Sequence, residues 1–210
     1  MIPTKEEWRN ALEERHGKEL HRVFSSATVA VCGLGGLGSN IAPLLARAGI
    51  GKLLLIDFDR VDITNLNRQQ YKAVQIGRYK TDALAENLKE ISPYISLEIY
   101  TERITEQNAK VLLKDADIIC EAFDGAEEKA MLAESVFAEM RDKYLVAASG
   151  MAGLYDANRI KTRKITNKFY LCGDEESDVE DGIGLFSSRV AVCAAHQAHT
   201  VLQILANYFE

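Results

Sequence analysis

Ala27-Thr28-Val29-Ala30-Val31-Cys32-Gly33-Leu34-Gly35-Gly36-Leu37-Gly38-Ser39 is the stretch whose reading decides the fold. Six small or apolar residues read as a buried strand and run directly into a glycine-rich turn. Residues 39–48 then show helical periodicity, stopped by Gly49 and Gly51, and residues 52–57 form a second apolar strand ending in Asp57. A strand, a helix and a second strand in this order imply a parallel pair with the helix covering one face. Within the turn, Gly33-x-Gly35-x-x-Gly38 lets a phosphate approach the backbone at a helix N-terminus, where free N–H groups favour anions. Asp57, about 20 residues further on, is placed to accept ribose hydroxyls. Glycines serving only close packing are the plain alternative, and the strand–turn–helix context weighs against it. The motif specifies a nucleotide and leaves nicotinamide and adenosine triphosphate equally open.

The residues beyond Asp57 separate the two. Asp57-Phe58-Asp59-Arg60-Val61-Asp62-Ile63-Thr64-Asn65-Leu66-Asn67-Arg68-Gln69 carries three carboxylates, two Asn, two Arg and a Gln past the C-terminal end of a strand. Ligands of parallel sheets bind in the crevice there. Gly77-Arg78-Tyr79-Lys80 leads into the next helix and offers a lysine to that crevice. Asp124 follows another apolar strand and is placed to hold Mg²⁺ through carboxylate oxygens. Arg68 and Lys80 neutralising a polyphosphate, with Asp124 bringing a metal, is equipment for nucleotidyl or phosphoryl transfer.

The alternation continues outward. Thr4 and Glu7 form a capping box for a helix expected to run to about Val23, with Ser25-Ser26 ending it. Helices are expected over residues 81–91, 106–113, 127–140 and 187–208, and strands over 95–100, 118–122 and 144–148. Residues 158–166 and 168–172 read as polar-edged strands forming an antiparallel extension, followed by an acidic run over 174–181 expected to be a solvated loop. The fold class is α/β: a Rossmann-like, mainly parallel sheet with helices on both faces. One domain over 1–210 is expected, with an N-terminal helix (1–24), a nucleotide-binding core (25–150) and a C-terminal region (151–210).

Composition narrows the partners. A net charge of −6 weighs against nucleic acid and anionic membranes, since no broad basic field is available. Hydrophobic content of 47% without any membrane-length apolar run or basic-then-apolar leader points to a cytoplasmic protein. Cys32, Cys120, Cys172 and Cys193 form no Cys-x-x-Cys pair, so no zinc is expected. His196 and His199 lack metal-ligand spacing and read as packing residues.

Gly33-Leu34-Gly35-Gly36-Leu37-Gly38-Ser39, Ile56-Asp57-Phe58-Asp59, Asn65-Leu66-Asn67-Arg68-Gln69, Lys80 and Asp124 together resemble the adenylation domain of the ThiF/MoeB/HesA and ubiquitin-activating enzyme superfamily. The short chain and Cys172-Gly173-Asp174 look most like compact ThiF-like proteins of thiamine biosynthesis. The resemblance implies that ATP and Mg²⁺ are used to adenylylate the C-terminal glycine carboxylate of a ThiS-like, ubiquitin-fold sulfur carrier protein, releasing pyrophosphate. It implies that Gly36 and its neighbours Gly33, Gly35 and Gly38 pack against the nucleotide, that Asp57 holds the ribose hydroxyls, and that Asp59 and Gln69 belong to the nucleotide site. Asn65, Arg68 and Lys80 would bind the triphosphate, and Asp124 the metal. Arg68, Lys80 and Asp124 are then the catalytic set.

It also implies a homodimer in which an arginine near the N-terminus reaches the neighbouring site, with Arg15 the first candidate and Arg9 and Arg22 its rivals. An acidic crossover segment would lie over the carrier's tail. Two departures stand out: Gly125 replaces an Asn frequent in relatives, and Cys172 is the one cysteine in the region where some relatives form a covalent adduct. A passive cysteine is the expectation there, because the carboxylates that follow would oppose a thiolate. Competing readings are the same chemistry on a molybdopterin carrier or a modified tRNA base, an NAD-dependent oxidoreductase, and a non-catalytic half of a heterodimeric activating enzyme.

Overall fold

The structure is a computed structural model and describes residues 2–178 and 184–208. Seven strands form one sheet in the order β3-β2-β1-β4-β5-β7-β6. These are β1 (Thr28–Cys32), β2 (Lys52–Ile56), β3 (Ser96–Tyr100), β4 (Ile118–Glu121), β5 (Tyr144–Ala148), β6 (Lys161–Thr166) and β7 (Phe169–Gly173). All neighbours are parallel except β6 and β7, which are antiparallel. The expected fold class and its antiparallel extension are both present.

Alternation along the strands explains why both faces are covered. Val29, Val31, Leu53, Leu55 and Ile118 pack on one side with α3 (Gly38–Ala48), α4 (Lys80–Ile91) and α7 (Ser187–Leu205). Ala30, Cys32, Leu54, Ile56 and Ile119 pack on the other with α5 (Ala109–Leu112) and α6 (Ala126–Glu139). Strand order reverses direction between β1 and β4, whose carboxyl ends open the crevice where a parallel sheet places its ligand.

Three local expectations are corrected. The N-terminal helix is two helices, α1 (Lys5–His16) and α2 (Lys18–Ser26), because Gly17 at φ +83° terminates α1 while its N–H bonds Glu13 O at 2.9 Å. The helix expected over 106–113 is shorter, since the Asn108 side chain accepts from Thr105 N at 2.7 Å and holds the preceding residues in a turn. The strand expected from 158 begins only at Lys161; Asp156 caps a short 3-10 turn (Ala157–Arg159) before it. The capping box of Thr4 and Glu7 is formed as expected.

Candidate active site

The glycine turn is fastened from below before it presents anything to a ligand. Gly38 is buried, and a Cβ there would lie 1.9 Å from Gly33 O, so its lack of a side chain serves close packing. The structure does not bring Gly38 to the crevice. Ser39 Oγ donates to Gly35 O at 2.6 Å, and Asn40 Nδ2 bridges Gly36 O at 2.6 Å and Arg68 O at 3.1 Å. The turn and the loop bearing Arg68 are therefore one rigid unit. The sequence carried no signal for Asn40 beyond its position on the helix.

Gly33, Gly35, Gly36, Asp57, Asp59, Asn65, Arg68, Gln69, Lys80 and Asp124 all line a single cavity of about 700 Å³, a volume suited to a nucleotide together with part of an acceptor. Asp57 ends β2 and is buried. Its Oδ2 accepts from Leu34 N at 2.6 Å and its Oδ1 from Asp59 N at 2.7 Å. Burial pushes its carboxyl above the usual aspartate value, opposed by the nearby Lys80 ammonium. A carboxylate has about four lone-pair sites, so two remain for ribose hydroxyls.

The cations are held differently. Lys80 is 5% exposed, and its Nζ pairs with Asp59 Oδ2 at 2.8 Å. Arg68 Nη1 donates to Asn67 Oδ1 at 2.9 Å and weakly to Thr64 O at 3.4 Å, with no carboxylate partner among the described residues. Gln69 is 7% exposed, and its Oε1 has no hydrogen-bond partner among the described residues. An orphaned buried acceptor on the wall of a crevice fits a ligand donor. The exposed Asp124 carboxylate likewise makes no hydrogen bond or ion pair with the described residues.

Beneath Asp124 lies a pair that sequence reasoning missed. Glu121 ends β4 fully buried, and Lys129 of α6 donates to its two oxygens at 2.9 and 3.1 Å and to Ala148 O at 3.1 Å. Glu121 also accepts from Phe123 N at 2.7 Å, which fixes the loop leading to Asp124. A carboxylate inside the apolar run Ile118-Ile119-Cys120-Glu121-Ala122 was the available signal.

The acidic run is solvent-exposed at Glu175, Glu176 and Asp178, as expected of a solvated loop, but it begins with a carboxylate that is not. Asp174 is buried against Arg189, while the carboxylates of Glu175 and Glu176 pair with Arg163 and Arg159. Glu180 and Asp181 lie outside the described residues. Cys172 is fully buried, off the crevice wall, and hydrogen-bonded to Thr162 Oγ1 at 3.5 Å. Its thiol is pushed up by burial, so the passive reading has a different cause from the carboxylate field expected. His196 packs as expected, its Nδ1 3.0 Å from Thr162 Oγ1. Among the N-terminal arginines, Arg9 pairs with Glu13 and Arg22 with Glu19, whereas Arg15 makes no ion pair with the described residues.

Residues 9–210 match the ThiF family. The chain belongs to the ThiF family. This ThiF-family chain is 36% identical over 155 residues to the tRNA threonylcarbamoyladenosine dehydratase of Bacillus subtilis, covering 71% of the chain and 59% of that protein. It is 35% identical over 127 residues to an adenylyltransferase and sulfurtransferase of Aspergillus clavatus, covering 60% of the chain and 25% of that protein. Over 78 residues it is 47% identical to ubiquitin-like modifier-activating enzyme 5 of Arabidopsis thaliana, spanning 18% of that protein. The chain thus spans less than two thirds of each of these relatives.

Among solved structures, that of the E. coli tRNA N6-threonylcarbamoyladenosine dehydratase in complex with ATP superposes with a TM-score of 0.86. Identity is 23%, and the match covers 100% of this chain and 98% of that one. E. coli MccB with ATP gives a TM-score of 0.68 at 22% identity, over 90% of this chain. At these identities the likeness shows the shared fold. No helix among the described residues is long and apolar enough to cross a membrane.

Proposed function

We infer that the chain is an ATP-dependent adenylyltransferase acting on a carboxylate, built as one adenylation domain. The observation that carries this reading is the meeting of Arg68, Lys80 and Asp124, whose carboxylate has no partner among the described residues, around one glycine turn. A nicotinamide enzyme gives no use to two cations and the Asp124 carboxylate at that place.

The acceptor carboxylate is ionised at neutral pH and needs no general base. Its oxygen forms a bond to the α-phosphorus as the bond from that phosphorus to the bridging oxygen of the β-phosphate breaks. Pyrophosphate leaves and an acyl adenylate remains. Arg68 and Lys80 face the charge that grows on the transferring and leaving phosphates, where preorganised donors act most strongly. Asp57 holds the ribose, and the orphaned Gln69 Oε1 accepts from the nucleotide. Asp124 would hold a Mg²⁺ ion through its carboxylate oxygens. Such an ion supplies charge neutralisation on the polyphosphate.

Two acceptors share this chemistry. The carboxylate of a threonylcarbamoyl-modified tRNA base is supported by the relative that aligns with 71% of the chain and is named as a dehydratase of that base. Adenylylating that carboxylate and closing a ring on it removes water overall. A ubiquitin-fold sulfur carrier, ThiS-like or of the molybdopterin kind, is supported by the adenylyltransferase and sulfurtransferase relative over a shorter span and by the net charge of −6. The tRNA base is our first choice, and the thiamine assignment rests on resemblance alone. A homodimer with Arg15 reaching the partner's crevice belongs to the same resemblance.

Acceptor-dependent ATP–pyrophosphate exchange tests the reading. The panel is tRNA bearing the modified base, tRNA lacking it, and carriers ending in Gly-Gly. Exchange with one acceptor class identifies the substrate. Tight NAD binding without ATP binding would sink the assignment.

A further inference from the structure

Lys80 and Asp59 are unequal partners. Lys80 is the first residue of α4, so its ammonium stands at the helix end whose own partial charge is positive. Its side chain is 6% exposed, and Asp59 Oδ2, at 2.8 Å, is its one ion-pair partner among the described residues. A buried ammonium left without an anion is costly. Asp59 is different: its side chain is 49% exposed and can turn to water cheaply. Its backbone is held independently of that carboxylate, with N bonded to Asp57 Oδ1 at 2.7 Å and O to Lys80 N at 2.9 Å. Arg68, later in the same loop as Asp59, has no such carboxylate among the described residues.

We propose that Asp59 is a counter-ion that keeps Lys80 aimed into the crevice until a polyphosphate takes its place, and not a nucleotide contact. This rests on the ATP reading above and makes Asp59 a positioning residue that competes with the ligand for one ammonium. The start of α4 favours any anion, so a phosphate oxygen replaces the carboxylate at a site already electropositive. The competition has a definite sign. Removing the carboxylate destabilises the free protein, which must hold the buried Lys80 without its ion-pair partner and with only the Asp57 charge nearby, and leaves the liganded state largely untouched. Ligand affinity therefore rises.

The test measures binding of Mg²⁺–ATP and of tripolyphosphate by calorimetry, with melting temperatures of the free proteins. Asp59→Asn should melt lower and bind both ligands about fivefold tighter, the scale of a partly exposed ion pair. Asp59→Ser guards against a local effect of the amide and should show the same sign. In a Lys80→Met background, Asp59→Asn should leave affinity unchanged, because the competed group is gone. Weaker or unchanged binding by Asp59→Asn overturns the proposal, the former by making Asp59 a contact of the nucleotide or its metal. An equal gain in the Lys80→Met background overturns it too, in favour of plain repulsion. A wild-type protein that binds neither ligand ends both this proposal and the adenylyltransferase reading, whereas wild-type binding with loss in Asp59→Asn ends this proposal alone.

Discussion

Asp174 and Arg189 form a buried ion pair that ties together three segments beside the crevice. Arg189, in the first turn of α7, donates from Nη2 to Asp174 Oδ2 and from Nη1 to Tyr155 O at 2.5 Å and Asp156 O at 2.9 Å. The other oxygen of Asp174 accepts from Ser177 N at 2.9 Å and Glu176 N at 3.0 Å. The Asp174 carboxylate thus holds the start of α7 and the turn through Glu176 and Ser177, while the backbone N–H groups of Asp174 and Glu175 bond Gly150 O and Ser149 O at 2.9 and 3.1 Å. A cation at a helix N-terminus opposes the helix dipole, so this arginine is held there by its partners.

Asp174→Asn should destabilise the protein by about 3–5 kcal/mol, the cost of leaving a buried charge unpaired. The denaturant midpoint measures it; a shift below about 1 kcal/mol would mean that the wall is held by other contacts. The same pair gives a pH signature. Burial pushes the Asp174 carboxyl up, but the amides of Ser177 and Glu176, the Ser177 hydroxyl and Arg189 outweigh it and hold the value below the usual 3.8. Its stabilisation is therefore complete above the unfolded value and lost as pH falls through the lower folded one. Wild-type stability should fall more steeply below about pH 4 than that of Asp174→Asn, as acid titration of the melting temperature would show.

Arg68→Ala and Lys80→Ala should each slow adenylate formation on the order of a hundredfold, corresponding to about 3 kcal/mol, while circular dichroism stays unchanged. Single-turnover rates near wild type in both variants would show that neither side chain faces the reacting phosphates.

Two glycines of the turn should part company. A Cβ at Gly35 would meet nothing nearer than Gln69 Nε2 at 3.7 Å, whereas one at Gly38 would lie 1.9 Å from Gly33 O. Gly35→Ala should fold with near-wild-type stability and lose ATP affinity tenfold or more, a cost of about 1.4 kcal/mol or more. Gly38→Ala should lose several kcal/mol of stability, in the range of overpacked cores at about 1–3 kcal/mol or beyond. Unimpaired ATP binding by Gly35→Ala would remove the turn from the nucleotide site.

Cys172 should resist alkylation in the native protein, since burial disfavours its thiolate. Intact-mass spectra with ATP and a Gly-Gly-ended carrier, without reductant, should show no covalent adduct, and Cys172→Ser should preserve exchange. A carrier-sized adduct that disappears in Cys172→Ser would assign the thiol a chemical role.

The sheet and the nucleotide end of the crevice were legible in the sequence because both are carried by local pattern. An apolar strand ending in three spaced glycines has few other solutions, and the polar loop after Asp57 follows directly from the next strand. Nine of the crevice glycines and polar residues already named from the sequence sit within the spans 33–69 and 80, and Asp124 joins them from a strand end. The ion pairs of the acidic run were not legible because their cations lie on other elements: Arg163 is twelve residues before Glu175, and Arg189 fifteen after Asp174. Of these carboxylates only Asp174, among the described residues, has its side chain buried against its cation, while Glu175 and Glu176 stay exposed.

Residue order by itself therefore determined the parallel sheet, the glycine turn and the charge types gathered at its mouth, since periodicity and turn chemistry act over a few residues. Only tertiary structure decided which of those charges are already spent. Lys80 is committed to Asp59 and Lys129 to Glu121, while Arg68 and Asp124 have no opposite charge among the described residues. The physical reason is that an ion pair depends on distance and burial, which folding sets by bringing β2, β4, α4 and α6 to the same end of the sheet.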